Sequence, residues 1–107
     1  METGVVIVTT TYPSNEAVAD AARALINSKL AACVHIHPIS STYRWEGRII
    51  ENEEFILAAK TTAEMVPGLS EQIRKGHPYE LPEILVIPII GGDERYLNWV
   101  KSEVSQT

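Results

Sequence analysis

Residues Cys33–Lys60 read CVHIHPISSTYRWEGRIIENEEFILAAK. β-Branched and aromatic residues alternate with polar ones on both sides of Glu46-Gly47. An acid followed by glycine in the middle of such a pattern specifies a tight hairpin turn. The spacing therefore predicts one long hairpin with arms Cys33–Trp45 and Arg48–Lys60. Pro38 lacks an N–H, so it is expected at a bulge or an unpaired edge position. Val34, Ile36, Tyr43, Trp45, Phe55 and Leu57 give both faces of the hairpin apolar surface, more than a small chain leaves in water. Contact with another subunit is expected. Such a hairpin, overhanging its sheet, could also pair edge to edge with a neighbour.

On the N-terminal side, GVVIVTT (Gly4–Thr10) is a β-branched run that reads as a buried strand. Pro13 and Ser14 stop it, with Ser14 as N-cap of a helix from Asn15 to about Ser28. That helix carries an apolar stripe through Val18, Ala21, Ala22 and Leu25. Beyond the hairpin, Thr61 and Glu64 have the spacing of a capping box, which predicts a helix to Lys75 with Gly76 as its stop. Pro67 and Gly68 sit poorly inside it. Ile84–Ile90 reads as a fourth, core strand, and Asp93 as the cap of a final short helix. The order is βαββαβ plus a C-terminal helix: an α+β, ferredoxin-like sandwich with a long β2–β3 hairpin, in a single domain spanning residues 1–107.

Composition narrows the function. At 107 residues, 45% apolar and 21% charged, the chain is of ordinary globular type. A formal net charge of −5 and scattered basic residues disfavour a nucleic-acid partner. No apolar run approaches the roughly 20 residues of a membrane span, and the start METGVVIV lacks the basic residues and apolar length of a signal peptide. A single cysteine excludes a disulfide framework and suits a reducing compartment. A cytoplasmic location is expected.

Cys33, His35 and His37 alternate along a strand and so project from one face about 7 Å apart. A thiolate and two imidazoles in that row could hold copper or zinc. The plainer alternative is a buried cysteine and two surface histidines. His77 lies in Gly76-His77-Pro78-Tyr79-Glu80-Leu81-Pro82-Glu83, where it is either a metal ligand or acid/base group beside Tyr79 and Glu83, or part of a stiff connector. Glu53 and Glu54 point to opposite faces and read as a solvated acidic edge rather than an acid/base pair. Nucleophile elbows, phosphate-binding loops and dinucleotide fingerprints are absent, so no enzyme is expected.

KLAACV, YRWEG, AAKTT, HPYELPEILVIPI and YLNWV occur in this order over nearly the whole chain. Together they resemble the CutA divalent-cation tolerance proteins. The resemblance implies a homotrimer assembled through the long hairpins, similar in architecture to PII signalling proteins, and a role in tolerance of copper and other divalent ions. Some members carry a cysteine near the end of the first strand and two adjacent histidines before the Pro-Tyr pair, proposed as copper ligands. Here those places are taken by Thr9-Thr10-Thr11 and Gly76-His77, so only His77 remains of that set. The alternative function is a PII-like regulatory or scaffold trimer that binds a small ligand or a protein in inter-subunit clefts. Tyr43, Trp45, Lys60, Tyr79 and Glu83 would line such a cleft.

Overall fold

The computed structural model describes residues 3–105. β1 (Val5–Tyr12), β2 (Cys33–Trp45), β3 (Arg48–Thr62) and β4 (Leu85–Pro88) form an antiparallel sheet in the order β2-β3-β1-β4. Helices α1 (Asn15–Asn27) and α2 (Val66–Gly76) cover one face, and α3 (Glu94–Glu103) follows β4. This is the ferredoxin-like order expected from the sequence.

The hairpin turns at Glu46 (φ 52°) and Gly47 (φ 78°). Two consecutive positive φ values suit a two-residue turn whose twist matches that of the flanking strands. Pairing is continuous from Trp45↔Arg48 to Cys33↔Lys60. There is thus no bulge at Pro38, which lies opposite Phe55 on the outer strand of the sheet. An edge strand tolerates the missing donor.

β1 pairs with β3 from Val5↔Thr62 to Tyr12↔Phe55. The part of the hairpin beyond Phe55 therefore overhangs the sheet, and the chain measures 44 × 28 × 21 Å.

The alternation of β1 and β3 sorts their side chains. Val6, Val8, Tyr12, Leu57 and Ala59 pack with Val18 and Leu25 of α1 and Leu69 and Ile73 of α2. Each fully buried leucine contributes about 2 kcal/mol of transfer free energy. The residues between them, including Val5, Ile7, Thr9 and Thr11, face the other side. α3 covers one end of that side, where Val5 and Val100 are buried outside the main core.

Helix ends follow local chemistry. Ser14 Oγ accepts from Ala17 N at 3.1 Å, and Asp93 Oδ1 accepts from Arg95 N and Tyr96 N at 2.8 and 3.2 Å. At the other end of α1, Leu30 N donates to Leu25 O and Lys29 N to Ile26 O, with Lys29 at φ 63°. This is a Schellman closure with lysine where glycine is commoner.

Three expectations are corrected. The capping box does not form: β3 continues through Thr62, Thr61 Oγ1 donates to Leu30 O at 2.7 Å, and a 3₁₀ turn (Ala63–Met65) leads into α2. Pro67 then falls in the first turn of α2, where its missing N–H costs little. Gly76 does not stop α2 through a positive φ. The helix does end at Gly76, as expected, but the stop comes from the cap residue His77 (φ −77°, ψ 135°), which Pro78 restricts to extended backbone. Ile84–Ile90 does not make a core strand. β4 is four residues long, lies at the sheet edge, and leaves Leu85, Val86 and Ile87 about half exposed.

Candidate functional site

Beyond α2 the chain turns past the end of β1, and the side chains of this connector are held by strand residues. The His77 ring stacks on Tyr12 with centroids 4.4 Å apart and lies 5.1 Å from the Tyr79 ring. The Tyr79 backbone N–H donates to His77 Nδ1 at 3.1 Å. The proton of the neutral ring is therefore on Nε2, which faces Thr10 Oγ1 at 3.2 Å and the Thr11 backbone. Burial lowers the His77 pKa, against upward pulls from the Thr11 backbone and the Glu54 charge. His77 is a neutral imidazole with both nitrogens occupied.

Tyr79 Oη donates to Glu54 Oε2 at 2.5 Å. Burial first, then this hydrogen bond and the nearby Glu54 and Tyr43 groups, push the Tyr79 phenol far up, so it stays protonated and donates. Glu54 is 5% exposed. The expected solvated acidic edge therefore holds for Glu53, which is exposed, and fails for Glu54. Strand parity puts Glu54 on the face opposite Phe55 and Leu57, and Tyr79 covers it there. Farther along the loop, Thr9 Oγ1 donates to Glu83 Oε2 at 3.3 Å.

The other anticipated residues are spread along the hairpin. His35 and His37 lie opposite Ala58 and Ile56, with their rings 6.5 Å apart and nearly perpendicular, and both are exposed. Cys33 is half-buried and opposite Lys60. Among the described residues, no group of three or more His, Cys, Asp or Glu side chains is gathered as a metal cluster. Within one chain the row offers an imidazole pair.

Of the anticipated cleft residues, Tyr43 and Tyr79 come near each other beside Glu54, and Tyr43 Oη accepts from Asn52 Nδ2 at 3.4 Å. Trp45 is at the hairpin tip, opposite Arg48. Lys60 is six residues along β3 from Glu54, roughly 20 Å of extended strand. Its Nζ meets Tyr96 Oη at 3.3 Å and sits 5.3 Å from that ring's centroid. A single chain therefore does not assemble all five.

Comparison with known proteins agrees with this arrangement. The family model described as CutA1 divalent ion tolerance protein matches residues 6–103. The chain belongs to the CutA1 family. It is 43% identical over 96 residues to the divalent-cation tolerance protein CutA of Thermus thermophilus, covering 89% of this chain and 93% of that protein. It is 39% identical over 92 residues to human CutA, covering 85% of this chain and 51% of that protein. Among solved structures, CutA from Synechococcus elongatus superposes with a TM-score of 0.93 at 37% identity, covering 98% and 95% of the two chains. The T. thermophilus structure gives 0.91 at 40%, covering 94% and 99%. The chain thus spans nearly all of the bacterial CutA1 relatives and about half of the human one. Relatives include a protein described as chloroplastic and one described as periplasmic. Among the described residues, no helix is long and apolar enough to cross a membrane.

Sequence reasoning missed Tyr12, Thr10 and Glu54 as partners of the His77 loop. Thr10 and Tyr12 carried a weak signal, being polar-tipped residues on the core parity of β1. Glu54 carried none, because its cover comes from Tyr79, 25 residues away.

Proposed function

We propose that this CutA1 protein is a homotrimer that binds copper, or another divalent transition metal, weakly and contributes to metal-ion tolerance. The observation that carries the metal reading is the exposed His35/His37 pair. Two imidazoles from alternate residues of one edge strand can swing toward a shared ion, with water completing its coordination. Cys33 lies next in the same row and could supply a third donor. His77 supports the reading less well, since a metal there would have to displace the Tyr79 N–H or the Thr10 contact. The trimer is supported by the overhanging hairpin and by apolar side chains left in solvent along the hairpin and β4. The single cysteine suits a reducing compartment such as the cytoplasm. Among the described residues, no base and nucleophile pair is assigned that would favour an enzyme.

Calorimetric titration with copper(II) and zinc tests the metal reading. Wild type should bind copper, a His35→Ala/His37→Ala variant should lose most of the affinity, and His77→Ala should retain it. Absence of binding above background in wild type would sink the proposal.

A second reading, a PII-like regulatory or scaffold trimer, is favoured by the buried Glu54 beside Tyr79 and Tyr43. A second subunit could bring Trp45 and Lys60 to that group and complete a cleft for a small ligand or protein partner. Thermal-shift screening with nucleotides and small acids should then give a stabilising hit that Glu54→Gln abolishes. A screen without stabilisation counts against it.

A further inference from the structure

β2 pairs with β3 without a break, so Pro38 leaves the parity of the strand intact. Val34 and Leu57 turn toward the helices, and His35 and His37 therefore stand on the opposite side of the sheet. The register also fixes what lies beside them. Their partners across the ladder are Ala58 and Ile56, and the next residue of β3 on that side is Lys60. None of the three brings an oxygen donor. Two acids farther along the same side are already engaged, Glu54 by Tyr79 Oη and Glu83 by Thr9 Oγ1.

The spacing of the two rings bears on coordination number. With metal–nitrogen bonds of about 2 Å, imidazoles on opposite sides of one ion place their ring centroids roughly 6 Å apart, and imidazoles at a tetrahedral angle place them closer. The centroids of His35 and His37 are 6.5 Å apart, with the rings nearly perpendicular. The pair is set near the span of a two-coordinate ion. Cys33 belongs to the same row, but an ion centred between the rings lies roughly 10 Å along the strand from it, beyond the reach of so short a side chain.

Charge points the same way. Lys60 keeps an ammonium on this side of the sheet, with Nζ 3.3 Å from Tyr96 Oη. It opposes a dication more strongly than a monocation. Zinc and copper(II) also seek four or more donors and find oxygen only in water here. Copper(I) is a d¹⁰ monocation for which two opposed imidazoles form a complete shell.

We propose that the ion selected by this pair is copper(I), held in two-coordinate fashion between His35 and His37. The inference rests on the metal reading above and specifies the oxidation state of its cargo. The ion enters already reduced, and the protein transfers no electron. Copper(II) and zinc bind the same pair less tightly.

The test is anaerobic competition of the intact protein for copper(I) supplied as its bicinchoninate complex, read from the loss of that complex's absorbance. Copper(II) and zinc are titrated in parallel by calorimetry. Wild type should take up one copper(I) per subunit more tightly than either dication, and X-ray absorption of the loaded protein should show two nitrogen neighbours and no sulfur. His35→Ala and His37→Ala should each lower copper(I) affinity by at least about tenfold, a loss that even outer-shell changes at a metal produce. Cys33→Ser should retain it. Uptake of copper(II) with copper(I) left on the chelator would overturn this inference while the metal reading stands, whereas uptake of neither would overturn both. Sulfur in the copper(I) shell, undiminished uptake by either single histidine variant, or a dication bound as tightly as copper(I) would also overturn it. The absorption measurement needs wild type alone, so the test remains decisive if a variant does not fold.

Discussion

At the scale of single residues, polar groups around the end of β1 are satisfied by partners remote in sequence, and this has measurable consequences. Removing the Tyr79 hydroxyl leaves a buried carboxylate short of its donor. Tyr79→Phe is therefore expected to destabilise the fold by about 1–3 kcal/mol, read from denaturant unfolding. A change within a few tenths of wild type would mean that Glu54 finds water instead. His77 gives a pH signature. Burial holds its folded-state pKa below the ordinary value of about 6.5, so as pH falls the unfolded chain takes up the proton first. The contribution of His77 to stability is complete above about pH 6.5 and is lost as pH falls through the folded-state value. Between about pH 7.5 and pH 5.5, wild type should lose more stability than His77→Gln. Equal losses would contradict the buried, neutral assignment. His77 and Tyr79 stood out in the sequence because they lie between prolines, but their partners Tyr12, Thr10 and Glu54 did not. Local sequence places a side chain on a face and says nothing of what a distant loop lays over it.

At the scale of elements, the hairpin was the most legible feature, because alternation and a turn signal agree over 28 residues. Glu46-Gly47 is the turn, as expected, with nothing within 4 Å of a Cβ added at Gly47. Gly47→Ala should therefore cost only the left-handed backbone penalty, about 1–2 kcal/mol, measured by thermal or denaturant unfolding. A neutral result would show that the turn relaxes to another type. Boundaries set by competition between local and tertiary signals were less legible. Thr61 has the side chain of a helix cap, yet its pairing with β1 and its hydrogen bond to Leu30 O keep it in the strand. Ile84–Ile90 has core composition, but only Leu85–Pro88 form the strand along β1, with Ile89 N donating to Val5 O beyond it, and at the edge of the sheet their side chains stay exposed. Apolar composition there marks an exposed apolar surface rather than a core position.

For the whole molecule, that exposed surface is the dominant fact. Ile49, Leu81, Leu85 and Ile90 are 65%, 70%, 56% and 77% exposed, and both outer strands of the sheet lack a partner on one side. Such a surface in water favours self-association. Ile49→Asp combined with Leu85→Asp should lower the mass seen by size-exclusion chromatography, and an unchanged mass would place the interface elsewhere. The four-stranded architecture was readable from element order, whereas the grouping of cleft residues was not, because Trp45 and Lys60 lie at opposite ends of one hairpin. Native mass spectrometry, before and after one equivalent of copper(II) per subunit, examines assembly and metal together. The expected result is a trimer of the 11.8 kDa chain that takes up one copper per subunit, keeps it in His77→Ala and loses it in His35→Ala/His37→Ala. A species that stays metal-free, or a double variant that still takes up copper stoichiometrically, would contradict a metal site on the outer strand.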